Sequence, residues 1–371
     1  MTKSTTTIQS VKHWMSKALF NSDSANGYFE TLVEGIDPMW SLQSIKARVE
    51  RVHHETADTL TLTLRPNERF AGFKAGQHLQ VGVEINGSRK TRTFTIASSS
   101  AEFRRQGTIQ LTIKAVPQGQ VTGWIHQQLK PGHIIRLQQA SGDFLLPQQA
   151  NNVLYIAGGS GITPVMSHLR ELLESGFPYP VTLLYYAKEE ADFIFRDELD
   201  AIAHHFKQFN LYRISTRTES TNKLCGHLCT GHLERALPSA PDHVFVCGPT
   251  ALQEATEALI SEQFSTAPGF HAESFGLVIK PVTGNATAQP VTLSKSHKAI
   301  ECGPSTPLLE AAEQNGLTPN YGCRMGICYT CKCKKTSGIV RNAVTGQLSG
   351  TGEEDIQLCV SIPETPVTLD L

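Results

Sequence analysis

Cysteine spacing near the C-terminal end constrains this chain more than any other feature. Residues 321–333 read YGCRMGICYTCKC, in which Cys323, Cys328 and Cys331 form C-x4-C-x2-C, and the next cysteine after that loop is Cys359, in LCVSIP. So many soft ligands on one short loop imply a metal centre. Two irons bridged by sulfides need four thiolates converging from two sides, and three cysteines on a loop with one remote is the plant-type [2Fe–2S] spacing. Gly322 and Gly326 let the loop turn backbone N–H groups toward the sulfurs. A structural zinc site is the competing reading, because four cysteines also make a tetrahedron. Zinc ligands usually come as two C-x2-C pairs or with histidines, and Cys359 has no companion of that kind. Cys333, Cys302, Cys225 and Cys229 fall outside the ligand set.

The rest of the chain must carry other domains, since 371 residues exceed one ordinary domain and fit two to four. Lys and Arg number 33 against 34 Asp and Glu, a net charge of -1, which argues against a nucleic-acid partner and leaves any charged surface local. Nine cysteines, an odd count, read as thiols and metal ligands in a reducing compartment. The opening MTKSTTTIQSVKHWMSK lacks the apolar run of a signal peptide, and no stretch approaches the roughly 20 apolar residues of a spanning helix. The expectation is a soluble, cytoplasmic protein.

Residues 1–44 form an N-terminal extension. Val11, Trp14, Met15, Ala18 and Leu19 lie on one stripe of a short helix, with Lys12, His13 and Lys17 opposite. That stripe packs on the protein's own surface or docks on a partner, and peripheral contact with the inner face of the membrane stays open. From 45 to 148 come six short strands rich in Val, Ile, Leu and Thr, punctuated by Gly and Pro, which favours an antiparallel β-barrel. From 149 to 279 apolar strands such as NNVLYIAGG, VTLLYYAK and HVFVCGP alternate with helical stretches. ITPVMSHLRELLESG puts Val165, Leu169, Leu172 and Leu173 on one face, and the whole reads as an α/β parallel sheet covered on both sides. Small polar residues over 280–290 read as a linker, and 291–371 as a compact α+β domain holding the cysteine loop.

Two further motifs bear on ligands. In RTFTIASS, a cation at Arg92, an aromatic plane at Phe94 and a hydroxyl at Thr95 suit a planar, phosphate-bearing ligand, although an Arg and a Phe on a strand also serve as barrel rim and core. In IAGGSGITP, Gly158, Gly159 and Gly161 end a strand just before a helix, offering backbone N–H groups to a pyrophosphate without matching G-x-G-x-x-G. VFVCGP would bring Cys247, Gly248 and Pro249 to the carboxyl edge of the same sheet.

Together these pieces resemble the ferredoxin–NADP reductase-like family, in the arrangement with a plant-type ferredoxin (β-grasp) domain at the C-terminus, over about residues 45–371. The resemblance implies a flavin held by Arg92 at phosphate, Phe94 stacked on the isoalloxazine in place of the commoner Tyr, and Thr95 beside N5. Ile96 and Ser98 would complete that strand, with Gly119, Val121 and Thr122 in GQVTGW at the flavin pyrophosphate. IASS favours FAD over FMN. It further implies a nicotinamide nucleotide on Gly158, Gly159, Gly161, Ile162 and Thr163, with Cys247, Gly248 and Pro249 beside the nicotinamide. Ser215 and Arg217, where NADPH-using relatives carry a Ser and an Arg, favour NADPH, and NADH remains open. Glu273 and Phe275 in HAESF match an acid that relays a proton and an aromatic that covers the flavin, though a solvated chain end reads equally well. The metal ligands would be Cys323, Cys328, Cys331 and Cys359.

The implied enzyme is an NAD(P)H oxidoreductase in which FAD converts a two-electron hydride into single electrons for the cluster. Its acceptor is expected among oxygen-activating proteins. The stretch GIDPMWSLQSIKARV resembles reductases serving bacterial membrane fatty-acid desaturases, with ring-hydroxylating dioxygenases, other monooxygenases and hybrid-cluster protein as alternatives. Arg324, Lys332, Lys334 and Lys335 beside the cluster loop, unlike the strongly acidic plant ferredoxins, argue against docking through a large negative patch. A zinc-stabilised binding protein that has lost catalysis is the reading from another class, and a membrane-anchored structural partner is a third.

Overall fold

A computed structural model describes residues 36–85, 88–117, 119–217, 224–264, 268–273, 287–322, 324, 326 and 329–371. The N-terminal stripe, Phe275, Cys323 and Cys328 lie outside the described residues.

The first unit contains β1 (Ile45–Thr56), β2 (Thr59–Pro66), β3 (His78–Ile85), β4 (Ser88–Thr95), α1 (Ser100–Gln106), β5 (Ile109–Lys114), α2 (Gln120–Gln128) and β6 (Ile134–Leu137). Its strands form one antiparallel sheet in the order β4-β3-β6-β1-β2-β5. The sheet closes on itself where Ile96 bridges Leu111 and the Ala97 N–H donates to the Gln110 carbonyl at 2.8 Å. Closure removes the sheet's open edges. Alternation in TLTLTLRP explains the interior, for Leu60, Leu62 and Leu64 all point into the apolar core. Ser99 caps α1 in a box with Glu102, and Gly107 ends it in the left-handed region.

The second unit runs β7 (Val153–Gly158), α3 (Ile162–Glu174), β8 (Val181–Ala187), α4 (Arg196–His205), β9 (Phe209–Ser215), α5 (Thr230–Ala236), β10 (His243–Cys247), α6 (Thr250–Gln263) and β11 (Gly269–Glu273). All five strands are parallel, in the order β11-β10-β7-β8-β9. Val153, Tyr155 and Ala157 of β7 join one apolar cluster while Leu154 and Ile156 join another, so the sheet is covered on both faces. The winding reverses between β7 and β10, and their carboxyl ends border the crevice where such sheets bind ligands.

The third unit contains β12 (Gln289–Leu293), β13 (Lys298–Cys302), α7 (Leu308–Gln314), β14 (Lys332–Ser337), β15 (Val340–Asn342), β16 (Glu354–Gln357), β17 (Ser361–Pro363) and β18 (Val367–Leu369). Its main sheet, β13-β12-β18-β14-β16, has a parallel β12/β18 pair flanked by antiparallel ones, and α7 packs Leu308, Leu309, Ala311 and Ala312 against it. Gln289 and Pro290, expected in the linker, already pair with Cys302 and Glu301.

One helix fixes the first two units together. Ser167 of α3 accepts from the Gly76 N–H at 3.1 Å and donates to the Ser98 carbonyl at 2.8 Å. Arg170 donates to the Ala97 carbonyl and the Gln110 side chain, both at 2.9 Å, and forks onto Glu198 at 2.6 and 2.7 Å. Glu171 accepts from the backbone and hydroxyl of Ser100 at 2.7 and 2.8 Å. The carboxyl end of β7 is thereby held beside the end of β4.

Candidate redox site

The glycine turn and the CGP segment are packed against each other too closely for side chains. A Cβ on Gly161 would lie 2.1 Å from the Cys247 carbonyl oxygen, and one on Gly158 would lie 2.9 Å from Pro249. Gly159 is left-handed, with φ of 56°, and a Cβ there would meet nothing within 4 Å, so the turn faces open space. Ile162 and Thr163 begin α3, and Thr163 donates its hydroxyl to the Ser160 carbonyl at 3.0 Å. Pro249 caps α6. Buried Cys247 has its thiol pKa raised by desolvation and then by the Glu273 carboxylate, which keeps it protonated.

Strand β4 ends at Thr95, opposite His78, whose ring reaches Glu273 at the end of β11. Phe94 packs partly buried against the barrel core, and Thr93 and Thr95 carry buried hydroxyl oxygens with no hydrogen-bond partner. An orphaned buried hydroxyl beside a glycine cradle fits a ligand with a polar edge, as a flavin has. Ile96 is wholly inside the barrel and Ser98 accepts from the Gln110 N–H at 3.1 Å, so side chains of both are committed to the protein. Helix α2 packs against β3 and β4 and starts at Gly119 without a side-chain cap. Thr122 accepts from the Val116 N–H at 3.1 Å, and a Cβ on Gly119 would lie 2.6 Å from its hydroxyl; Val121 is buried in the barrel core.

Glu273 ends β11 opposite Cys247, and His78 starts β3 opposite Thr95. Across the two units, His78 Nδ1 and Glu273 Oε1 are 3.1 Å apart. Neither the histidine nor this pairing was legible in the sequence, because the partners stand 195 positions apart. Ser215 ends β9 next to the end of β8, with Arg217 exposed beyond it.

The cysteine loop rests on β4. Arg92 donates from Nη1 to the Gly322 carbonyl at 3.0 Å, one residue before Cys323, and to the Thr91 carbonyl at 2.8 Å. Tyr321 stacks under Arg324 at 3.9 Å, with Lys90 and Arg92 each 5.8 Å from its ring. Cys331 and Cys359 are buried in the same core, and the Leu358 N–H donates to the Cys331 carbonyl at 3.1 Å, drawing the remote cysteine's segment to the loop. Two buried thiols brought together from separate segments fit a cluster bound by loop and remote cysteines. The four cations near the loop are each paired with an acid. Arg324 pairs with Glu313, Lys332 with Asp355 at 2.8 Å and Lys334 with Glu353 at 2.6 Å. Lys335 is buried on Glu354 and the carbonyls of Gly350 and Gly352. The β14/β16 register sets Lys335 opposite Glu354 and leaves Asp355 diagonal to Lys332, which sequence spacing alone does not show.

Three families match in turn along the chain: the oxidoreductase FAD-binding domain over residues 46–145, the oxidoreductase NAD-binding domain over 155–258, and the 2Fe-2S iron-sulfur cluster binding domain over 291–364. The chain is 31% identical over 338 residues to an NADPH oxidoreductase of Mycobacterium tuberculosis, covering 90% of this chain and 86% of the relative. It is 28% identical to the glycine betaine monooxygenase reductase subunit of Chromohalobacter salexigens, covering 89% and 96%. Among solved structures it is similar in fold to phthalate dioxygenase reductase, with a TM-score of 0.61 at 24% identity over 89% of this chain and 98% of that one.

Proposed function

The chain belongs to the ferredoxin–NADP reductase-like oxidoreductases, in the branch that joins FAD-binding, NAD-binding and 2Fe-2S domains, and we propose that it passes electrons from NADPH to an oxygen-activating partner protein. The bound FAD supplies the conversion of a hydride into single electrons. Arg92 keeps Nε and Nη2 for the flavin phosphate while Nη1 holds Gly322, Phe94 stacks on the ring, and the Thr95 hydroxyl meets its polar edge. Gly119 and the first turn of α2, with Val121 and Thr122, lie at the flavin pyrophosphate. The backbone of Gly158, Gly159, Gly161, Ile162 and Thr163 receives the nucleotide phosphates, with Cys247, Gly248 and Pro249 beside the nicotinamide and Phe275 over the flavin. Cys323, Cys328, Cys331 and Cys359 hold the cluster.

The observation that carries this reading is the 3.0 Å bond from Arg92 to Gly322, because it joins the strand assigned to the flavin to the loop assigned to the cluster. The choice of NADPH rests on Ser215 and exposed Arg217, and on what occupies the nearby acids. Glu190 pairs with Arg196 and Arg213 at 3.6 and 3.8 Å, and Glu189 sits in a capping box with Asp192, so neither is set aside for a ribose 2′-hydroxyl. An oxygenase component suits the acceptor role, as for the glycine betaine monooxygenase reductase subunit. A membrane fatty-acid desaturase is the narrower choice, resting on GIDPMWSLQSIKARV alone.

An anaerobic absorbance titration of the purified protein tests the scheme. Flavin and iron–sulfur bands should both bleach, at lower concentration with NADPH than with NADH. A protein showing neither band after anaerobic purification would overturn the scheme and favour the zinc-stabilised binding protein.

A further inference from the structure

The pair His78–Glu273 is a polar contact between the first two units. His78 is buried, with Glu273 at 17% side-chain exposure. On its other side the ring has Ser141, whose hydroxyl is 3.5 Å from Nε2, and Gly142, where a Cβ would lie 2.8 Å from Nδ1. Gly142 also takes φ of 117°, so a glycine there both permits the turn and leaves the ring its place. A carboxylate only accepts hydrogen bonds; an ionised Glu273 therefore requires a proton on Nδ1, with Nε2 turned to the Ser141 hydroxyl.

The second carboxylate oxygen is left over. Glu273 Oε2 is buried with no partner among the described residues, as is the Thr95 hydroxyl, and Thr95 stands directly opposite His78 in the β3/β4 ladder. Resting on the function proposed above, we propose that His78 is the positioning residue that holds Glu273 so that Oε2 accepts the proton left at the flavin site in each turnover. The balance requires such an acceptor. A hydride brings two electrons and one proton; the electrons leave singly through the cluster, and the proton has to reach water. Oε2 takes that proton, Glu273 becomes the neutral acid, and the side chain, 17% exposed, returns the proton to solvent before the next cycle. His78 itself gains and loses none.

Three forms of the full-length, flavin-loaded protein test this: wild type, His78→Leu and His78→Asn, whose amide N–H can replace Nδ1–H as donor. Anaerobic rapid mixing of the NADPH-reduced proteins with ferricyanide reads flavin reoxidation in light and heavy water. Wild type should show a solvent isotope effect. His78→Leu should reoxidise about tenfold more slowly, a part of the hundredfold or more that a positioned proton acceptor contributes, and His78→Asn should recover most of the rate. Nitrogen-15 NMR of histidine-labelled wild type gives a readout apart from turnover: His78 should carry its proton on Nδ1, and Glu273→Gln should release that preference. Equal rates in wild type and His78→Leu, or a proton on Nε2 in wild type, would overturn the inference. Should His78→Leu fail to retain FAD, the Asn variant and the NMR tautomer decide. A wild-type protein that binds no flavin would instead overturn the proposed function.

Discussion

His168 shows how a single residue ties fold to conditions. It is fully buried in α3, bonded through Nε2 to the Phe144 carbonyl at 3.0 Å and through Nδ1 to the Tyr155 hydroxyl at 3.1 Å. The carbonyl can only accept, so Nε2 carries the proton and Nδ1 accepts from Tyr155. Burial pushes the pKa of His168 from 6.5 down to about 4, against the smaller upward pull of its backbone hydrogen bonds. With the folded value below the unfolded one, the unfolded chain binds the proton first as pH falls. The contribution of this residue is therefore complete above the unfolded value and is lost progressively toward about pH 4. The loss should be about 2 kcal/mol between about pH 7.5 and pH 5, at about 1.4 kcal/mol per pKa unit. Urea unfolding at the two pH values checks it: His168→Gln should lose less stability over that interval than wild type, and parallel losses would count against the assignment.

At the scale of elements, α3 separates what sequence reveals from what it hides. Its apolar positions Val165, Leu169 and Leu172 follow helical spacing and are buried as that spacing predicts. Ser167, Arg170 and Glu171 look like a solvated face, yet they bond to residues of the barrel 60 to 91 positions away. No local pattern encodes such partners. The glycine turn was legible because the sequence itself spells its backbone freedom, whereas the need for Gly161 beside the Cys247 carbonyl comes from the close approach of β7 and β10. Arg170 should be the most sensitive of the helix's polar residues, since its guanidinium serves Glu198, Gln110 and the Ala97 carbonyl together. Arg170→Ala should cost about 3 kcal/mol, the lower part of the range for breaking a buried pair, because Glu198 is 38% exposed on its side chain and can regain water. Arg170→Lys should recover little, as one ammonium cannot reproduce the planar fork. Chemical denaturation of the three proteins measures this, and a lysine variant as stable as wild type would show that charge alone suffices.

For the whole molecule, the question is whether the cluster domain reaches the flavin by a tether or by docking. The three units were legible from strand and helix texture and from the cysteine spacing. The contact between the first and third was not, because Arg92 and Gly322 are 230 positions apart. Both the linker preceding β12 and the contact made by Lys90, Arg92, Tyr321 and Gly322 could set the rate of electron transfer, and they scale differently. Under a free tether, effective concentration falls as about the −3/2 power of length, so doubling the linker should slow flavin-to-cluster transfer by roughly threefold. A docked domain makes the rate indifferent to length. The bonded geometry favours docking: inserting an equal length of Gly-Ser sequence within 280–286 should leave the single-turnover rate of cluster reduction unchanged, as read by stopped-flow absorbance with NADPH. Adding Lys90→Ala, which removes one cation from the Tyr321 ring, should weaken the docked state and restore part of the length dependence. A threefold fall on insertion alone would mean that the units meet only transiently and that the tether governs transfer.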